Sequence, residues 1–164
     1  PMFNDDGELA PKTLPLINSG ILKNTLINSR TAQEYKIDSN FAGSWEGLRA
    51  PVMDTGNLHE KDIPSKIDKG VLLNNLHYLN WSDNVGGRIT GMTRYACFWI
   101  EDGEIIAPID NMRFDDTIYN IFGSNLESVT SKSQFIPDTG TYSGRSFGGT
   151  NCPGILLNSF SLTL

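Results

Sequence analysis

Histidine is nearly missing from this chain of 164 residues: His59 and His77 are its only two. Cysteine is as scarce, with Cys97 and Cys152 alone. Two cysteines are too few for a disulfide scaffold. Two buried, reduced thiols are the expected state, and a single disulfide is the alternative. Long hydrophobic runs are also absent. The longest, Tyr95–Ile100 and Ile105–Ile109, are strand-sized, far short of the roughly 20 residues that span a bilayer. No Lys- or Arg-led apolar leader opens the sequence, so a non-secreted chain is expected, with no membrane partner. Basic clusters are lacking too. Lys and Arg number 13 against 19 Asp and Glu, a formal net charge of −6. A surface that neutralises phosphates needs the opposite balance, so no nucleic-acid partner is expected. There is no internal repeat and no coiled-coil heptad.

Aromatics are well supplied, with 3 Trp, 5 Tyr and 8 Phe. That is enough apolar surface to argue against long disorder. The length fits one domain, 1–164, and the opening Pro1-Met2-Phe3-Asn4-Asp5-Asp6-Gly7 reads as a cut into a longer polypeptide. Leu14–Ile17 and Ile21–Ile27 flank Asn18-Ser19-Gly20, which predicts two strands about a glycine turn. Ser29–Lys36 reads as a short helix with Thr31 and Glu34 at capping-box spacing. Asp38–Asn57 reads as loop. Asp62-Ile63-Pro64 suits a helix start and Gly70 its close. Val71–Trp81 is ambiguous between helix and strand, and Gly70 tips it toward one long strand. Asp102-Gly103 between Tyr95–Glu101 and Glu104–Ile109 is type I′ hairpin chemistry, because both turn residues need positive φ. Both arms are apolar, so burial on both faces is expected. Phe114, Ile118, Ile121, Phe122 and Leu126 recur at helical spacing, with Asp115 as cap. Ser128–Asn151 is polar and glycine-rich, and 155–164 alternates like a closing strand. The fold class expected is α+β, mostly β: a barrel-like antiparallel sheet with two or three short helices.

No complete active site is present. His59-Glu60 starts like a zinc-protease helix, but no second His follows at one-turn spacing and Pro64 would break the helix. His59 reads as a solvated loop residue and His77 as a satisfied strand residue. There is no Gly-x-Ser-x-Gly elbow. Ser143 and Ser146 have no local base. Cys97 lies between Ala96 and Phe98 in an apolar strand, where a thiol is inert rather than activated. Its functional alternative is a metal ligand or nucleophile. Gly86-Gly87-Arg88-Ile89-Thr90-Gly91 lacks the Lys-Ser/Thr of a phosphate loop and reads as a loop with unusual dihedrals. Arg88 and Arg94 bracket it; either could grip a peptide carboxylate or pair with an acidic neighbour. Asp5-Asp6, Glu101-Asp102 and Asp115-Asp116 each have a structural reason for their place, so no acid/base role is assigned.

Three segments in order carry a resemblance: Thr90-Gly91-Met92-Thr93-Arg94, then Phe98-Trp99-Ile100-Glu101-Asp102-Gly103-Glu104-Ile105, then Pro108-Ile109-Asp110-Asn111-Met112-Arg113-Phe114. Together with Asp5-Asp6-Gly7-Glu8, Pro15–Lys23, Thr31-Ala32 and Cys152–Leu157 through Phe160, they resemble the C-terminal domain of the TldD/PmbA family. These are cytosolic proteins once called modulators of DNA gyrase and now regarded as metallopeptidases. The resemblance implies a cytoplasmic protein with an N-terminal α/β region, a central region and a C-terminal barrel-like β domain. Two subunits, alike or different, enclose a cavity. In the catalytic subunit a His-Glu-x-x-x-His helix upstream of this domain supplies two zinc ligands and the base, and a cysteine of this domain supplies another ligand. Unfolded peptides bind as an added strand.

The sequence departs from that pattern. It has no His-Glu-x-x-x-His. The ligand cysteine would fall near Arg94, not at Cys97. Cys97 reaches that place only by a three-residue register shift, which turns a side chain to the other face. The resemblance is therefore closer to the PmbA/TldE-type subunit without the metal cysteine. What it implies is a peptide-binding and scaffold domain in a zinc metallopeptidase assembly, with no zinc held by this chain alone. Thr90 and Arg94 are its candidate substrate contacts and Cys97 its one candidate metal ligand. The alternative is a non-enzymatic interaction domain that shares only the fold.

Overall fold

The computed structural model describes residues 2–142, 144 and 148–163. The chain forms two compact units, one of Pro1–Pro51 with Pro137–Thr150 and one of Val52–Ile136 with Asn151–Leu164.

In the first unit, β1 (Ile17–Asn18) and β2 (Ile21–Leu22) pair antiparallel, Ile17 opposite Leu22. Ser19 and Gly20 make the turn at φ 51° and 76°. Both values are positive, as a two-residue hairpin loop demands. The expected hairpin is there, with shorter strands. Helix α1 (Ser29–Tyr35) starts at Asn28, whose side chain accepts from the Thr31 amide at 2.8 Å. This corrects the expected capping box: Thr31 is the third helical residue, and its N–H is the orphan donor that Asn28 satisfies. Lys36 closes the helix in the left-handed conformation, φ 55°. The centre of this unit is partly polar. Buried Asn4 donates to Glu8 Oε2 and the Ala42 carbonyl and accepts from the Asp6 and Glu8 amides.

The second unit holds most of the sheet. After two short 3-10 turns, Glu60–Asp62 and Pro64–Lys66, come β3 (Lys69–Leu73), β4 (Leu76–Asp83), β5 (Arg88–Thr93), β6 (Cys97–Glu101), β7 (Glu104–Pro108) and β8 (Arg113–Thr117). A π-helical turn, Asn120–Ser124, leads to β9 (Leu126–Pro137), β10 (Gly149–Leu157) and β11 (Leu162–Thr163). The strands order as β11-β8-β5-β4, β3-β6-β7 and β10-β9. All the pairings that carry a register are antiparallel. The mostly-β expectation holds. The barrel does not: the described strands form separate sheets, and no closed barrel is found among them.

The Asp102-Gly103 hairpin forms as read, with φ 50° and 78° and Glu101 opposite Glu104. Its burial differs. β6 lies between β3 and β7 and buries Cys97 and Ile100, whereas every residue of β7 is exposed. An edge strand has no neighbour on one side, so the apolar character of β7 does not put it inside.

Six further expectations are corrected. Gly70 does not stop a helix; it pairs with Ile100 in β3, and a Cβ there would meet Ile67 Cγ2 at 2.7 Å. Val71–Trp81 is two strands in different sheets, separated at Asn74-Asn75. The loop with unusual dihedrals is confined to Gly86-Gly87, where Gly87 takes φ 60°, while Arg88–Gly91 lie within β5. The helix over Phe114–Leu126 is β8 followed by the π-helical turn. Phe114 and Asp116 are the buried positions of β8, a period of two that the apolar spacing concealed. Asp115, expected as the cap, instead pairs with Arg88 at 2.8 Å. The polar Ser128–Asn151 stretch, read without strands, contains most of β9 and the start of β10. The closing strand is interrupted at Asn158, whose amide donates to the Asn125 carbonyl.

Candidate functional site

β4 and β5 form a hairpin in which Leu76 faces Thr93 and His77 faces Met92. The register then slips between His77 and Asn80, and Tyr78 takes φ 52°. A bulge of this kind bends a strand and re-aims its side chains. The chain leaves β5 at Arg94, whose amide donates to the Asn75 carbonyl at 3.2 Å. With its amide turned to satisfy its neighbours, Asn111 donates to the Arg94 carbonyl at 2.6 Å. Ala96, at φ 55°, completes the bend into β6.

This geometry brings Arg94 and His77 together. Arg94 Nη1 lies 2.9 Å from His77 Nε2, and the guanidinium also sits 5.8 Å from the centre of the Tyr95 ring. Arginine has only donors. Nε2 therefore accepts, and the imidazole proton is on Nδ1. The His77 ring in turn packs on Tyr78, ring centres 4.2 Å apart. Around the pair, β4 exposes Tyr78, Leu79 and Trp81 on the open edge of the four-stranded sheet.

The other residues singled out from the sequence fall elsewhere. Thr90 is half-buried in β5, and its hydroxyl donates to the Phe114 carbonyl across the sheet at 2.9 Å. Arg88 is held by Asp115, and that bond raises its pKa above the ordinary arginine value. Cys97 is 2 % exposed, with Sγ 3.7 Å from the Asn75 carbonyl and 3.6 Å from that of Tyr95. Cys152 is half-buried, and both cysteines are free thiols. Ser143 and Ser146 lie outside the described residues.

Two contacts escaped the sequence reading. One is His77 with Arg94, seventeen residues apart; only the β4–β5 register, bulge included, brings them together. The other is Ser131 Oγ with His59 Nδ1 at 3.3 Å, seventy-two residues apart. It borders a surface depression of about 430 Å³ lined by His59, Asp62, Lys66 and Ser128. Among the described residues no hydrogen bond fixes the other nitrogen of His59, so the contact lacks the third group of a catalytic triad.

Residues 2–164 match the model of the PmbA/TldA metallopeptidase C-terminal domain. The chain belongs to the PmbA/TldD metallopeptidase family. It has the fold of several solved structures. With TldE from Thermococcus kodakarensis the TM-score is 0.78 at 20% identity, over 99% of this chain and 36% of that one. With a proposed modulator of DNA gyrase from Thermotoga maritima it is 0.73 at 16% identity, over 99% and 35%. With a similar protein from Bacteroides thetaiotaomicron it is 0.71 at 16% identity, over 99% and 33%. This PmbA/TldD chain spans about a third of the length of the structures it matches. No curated protein matches it.

A metallopeptidase family implies a metal, and the side chains can be tested for one. Among the described residues no group of three or more His, Cys, Asp or Glu could hold an ion. Cys97 Sγ faces two backbone carbonyls instead of a second ligand-type side chain. The donor set of this PmbA/TldD domain does not by itself fit a zinc site, which takes three or four converging ligands.

Proposed function

We propose that this domain is the peptide-binding and scaffold part of a TldE-type subunit, one without the metal cysteine, in a cytoplasmic zinc metallopeptidase assembly acting on unfolded peptides. The observation that carries the proposal is the open edge of β4, apolar and exposed at Tyr78, Leu79 and Trp81, with Arg94 beside it. An extended peptide adds to such an edge through main-chain hydrogen bonds and lays alternate side chains on the apolar surface. Zinc would be held by residues outside this chain and would supply Lewis-acid chemistry for the cleavage. The residues of this chain bind and orient the peptide. Of the two candidate substrate contacts, Arg94, whose side chain is exposed, meets the ligand. Thr90, one strand in and bonded to Phe114, shapes the edge. The subunit pairs with a like or related subunit.

The test uses the full-length parent with whatever subunit copurifies. A labelled unstructured peptide is titrated by fluorescence anisotropy against the parent and against Leu79→Lys. The charge on the open edge should weaken binding at least tenfold and slow cleavage in proportion. Equal affinity for both proteins would remove β4 as the binding edge. Peptide binding with no cleavage and no zinc in the copurified assembly would instead favour the non-enzymatic interaction domain.

A further inference from the structure

Two arginines bracket β5, and the structure treats them differently. Arg88 is neutralised by Asp115 at 2.8 Å. Arg94 has no carboxylate within ion-pair distance among the described residues, although the chain carries 19 acidic side chains. It is nonetheless held in place. His77 accepts one of its N–H groups at 2.9 Å, the Tyr95 ring lies 5.8 Å away, and its backbone is fixed by Asn75 and Asn111. A neutral imidazole that accepts a hydrogen bond orients a guanidinium without cancelling its charge. The remaining N–H groups of the planar fork stay available, and that fork matches a carboxylate with two parallel bonds.

We propose that Arg94, positioned by His77, is a carboxylate-binding position for a peptide lying on the β4 edge, the carboxylate being that of the peptide C-terminus. The inference rests on the peptide-binding reading above and adds the group by which the peptide is registered. The surroundings set the ligand class. Tyr78, Leu79, Trp81 and Tyr95 are exposed and apolar in body, so they suit apolar side chains next to the carboxylate. The net charge of −6 disfavours a polyacidic peptide and leaves one carboxylate on one prepared cation. Arg94 is the ligand contact, and His77 is a positioning residue that acts through it.

Three labelled peptides of one apolar, uncharged sequence would test this on the full-length parent with its copurified subunit. One ends in a free acid, one in an amide, and one in an amide with a penultimate Glu. The acid should bind about tenfold tighter than the amide, the usual size of one charge-assisted bidentate contact. Arg94→Gln should close that gap, the acid losing far more affinity than the amide; Arg94→Lys should keep part of it. His77→Leu should narrow the gap and His77→Gln, which keeps an acceptor, should preserve it. A purely structural role for His77 would move acid and amide affinities together. A Glu peptide that binds as tightly as the acid would overturn the assignment to the peptide C-terminus. Equal binding of acid and amide by the parent overturns the inference and leaves peptide binding standing. No binding of any peptide overturns the peptide-binding reading itself.

Discussion

Replacing Gly91 by alanine should destabilise the second unit, and the structure sets the size of the effect. Gly91 faces Phe114 across the β5–β8 pairing. A Cβ at this position would stand 2.7 and 2.8 Å from two carbons of the Phe114 ring and 3.0 Å from the His77 carbonyl oxygen. Carbon atoms in contact prefer about 3.5–4.0 Å, so the ring would have to retreat by most of an ångström. It has nowhere to go: Phe114 is 0 % exposed and packs on Phe160 with ring centres 5.1 Å apart. Overpacking of this kind costs about 1–3 kcal/mol. Gly91 has no positive φ, so alanine recovers about 0.4–1 kcal/mol by restricting the unfolded chain. The middle of the two ranges leaves a net loss of about 1–2 kcal/mol. At about 2–4 °C per kcal/mol for a chain of this size, Tm should fall by about 2–8 °C in a calorimetric scan. Gly123→Ala is the control. A Cβ at Gly123 meets nothing within 4 Å, so that variant should melt at or slightly above the parent temperature. A Gly91→Ala protein that melts no lower than the parent would refute the close-approach argument.

Thiol labelling should separate the two cysteines: half-buried Cys152 should react with an aromatic disulfide reagent in the folded protein, and Cys97 only on unfolding. Fast labelling of both in native buffer would contradict the burial of β6. Asn28→Ala removes the α1 cap and a bond to the Ser44 carbonyl and should lower stability by about 1 kcal/mol in urea titration. An unchanged midpoint would mean that another group satisfies the Thr31 amide. Glu8 and Glu46 are held below the ordinary glutamate pKa, Glu8 by Ser29 and Asn4, Glu46 by the Asn28 amide and Thr31. Their folded values are depressed, so their stabilisation is full above the unfolded value near 4.5 and fades as pH falls through the folded values. Urea midpoints should therefore drop on acidification below pH 4.5, and Glu8→Gln should flatten that drop; a parent and variant with the same slope would count against it.

Turn chemistry was the most legible part of the fold. Ser19-Gly20 and Asp102-Gly103 could be read because few residues tolerate positive φ, so the local sequence names the turn. Strand neighbours were not legible. Asp115 and Asp116 look like a helix start until β5 lies beside them and Arg88 claims Asp115. The apolar β7 reads as buried until its place at the sheet edge is known. Polar β9 reads as loop because Ser and Thr fill four of the six positions 128–133, although Thr130 in its midst is buried and its hydroxyl accepts from the Gly154 amide. For the site, Arg94 was visible as a residue but its partner was not. Its pairing with His77 depends on a one-sided slip in the β4–β5 register that no periodicity records.

The pairing of β11 with β8 has a consequence in time. Leu162 sits opposite Phe114, and Phe160 packs on the Phe114 ring. During synthesis the later residues emerge roughly fifty positions after the earlier, which at about 5–20 residues per second is several seconds. Through that interval β8 has its β5 neighbour but an open outer edge, and the ring at the centre of the sheet has one face uncovered. The sheet is thus finished last at its β11 edge, against the strand that carries its buried ring. Pulse-labelled hydrogen exchange on stalled nascent chains would find the β8 amides that face β11 protected only once Leu162 has cleared the exit tunnel. Until then β8, with a single Phe among charged and polar residues, keeps its outer backbone groups unpaired.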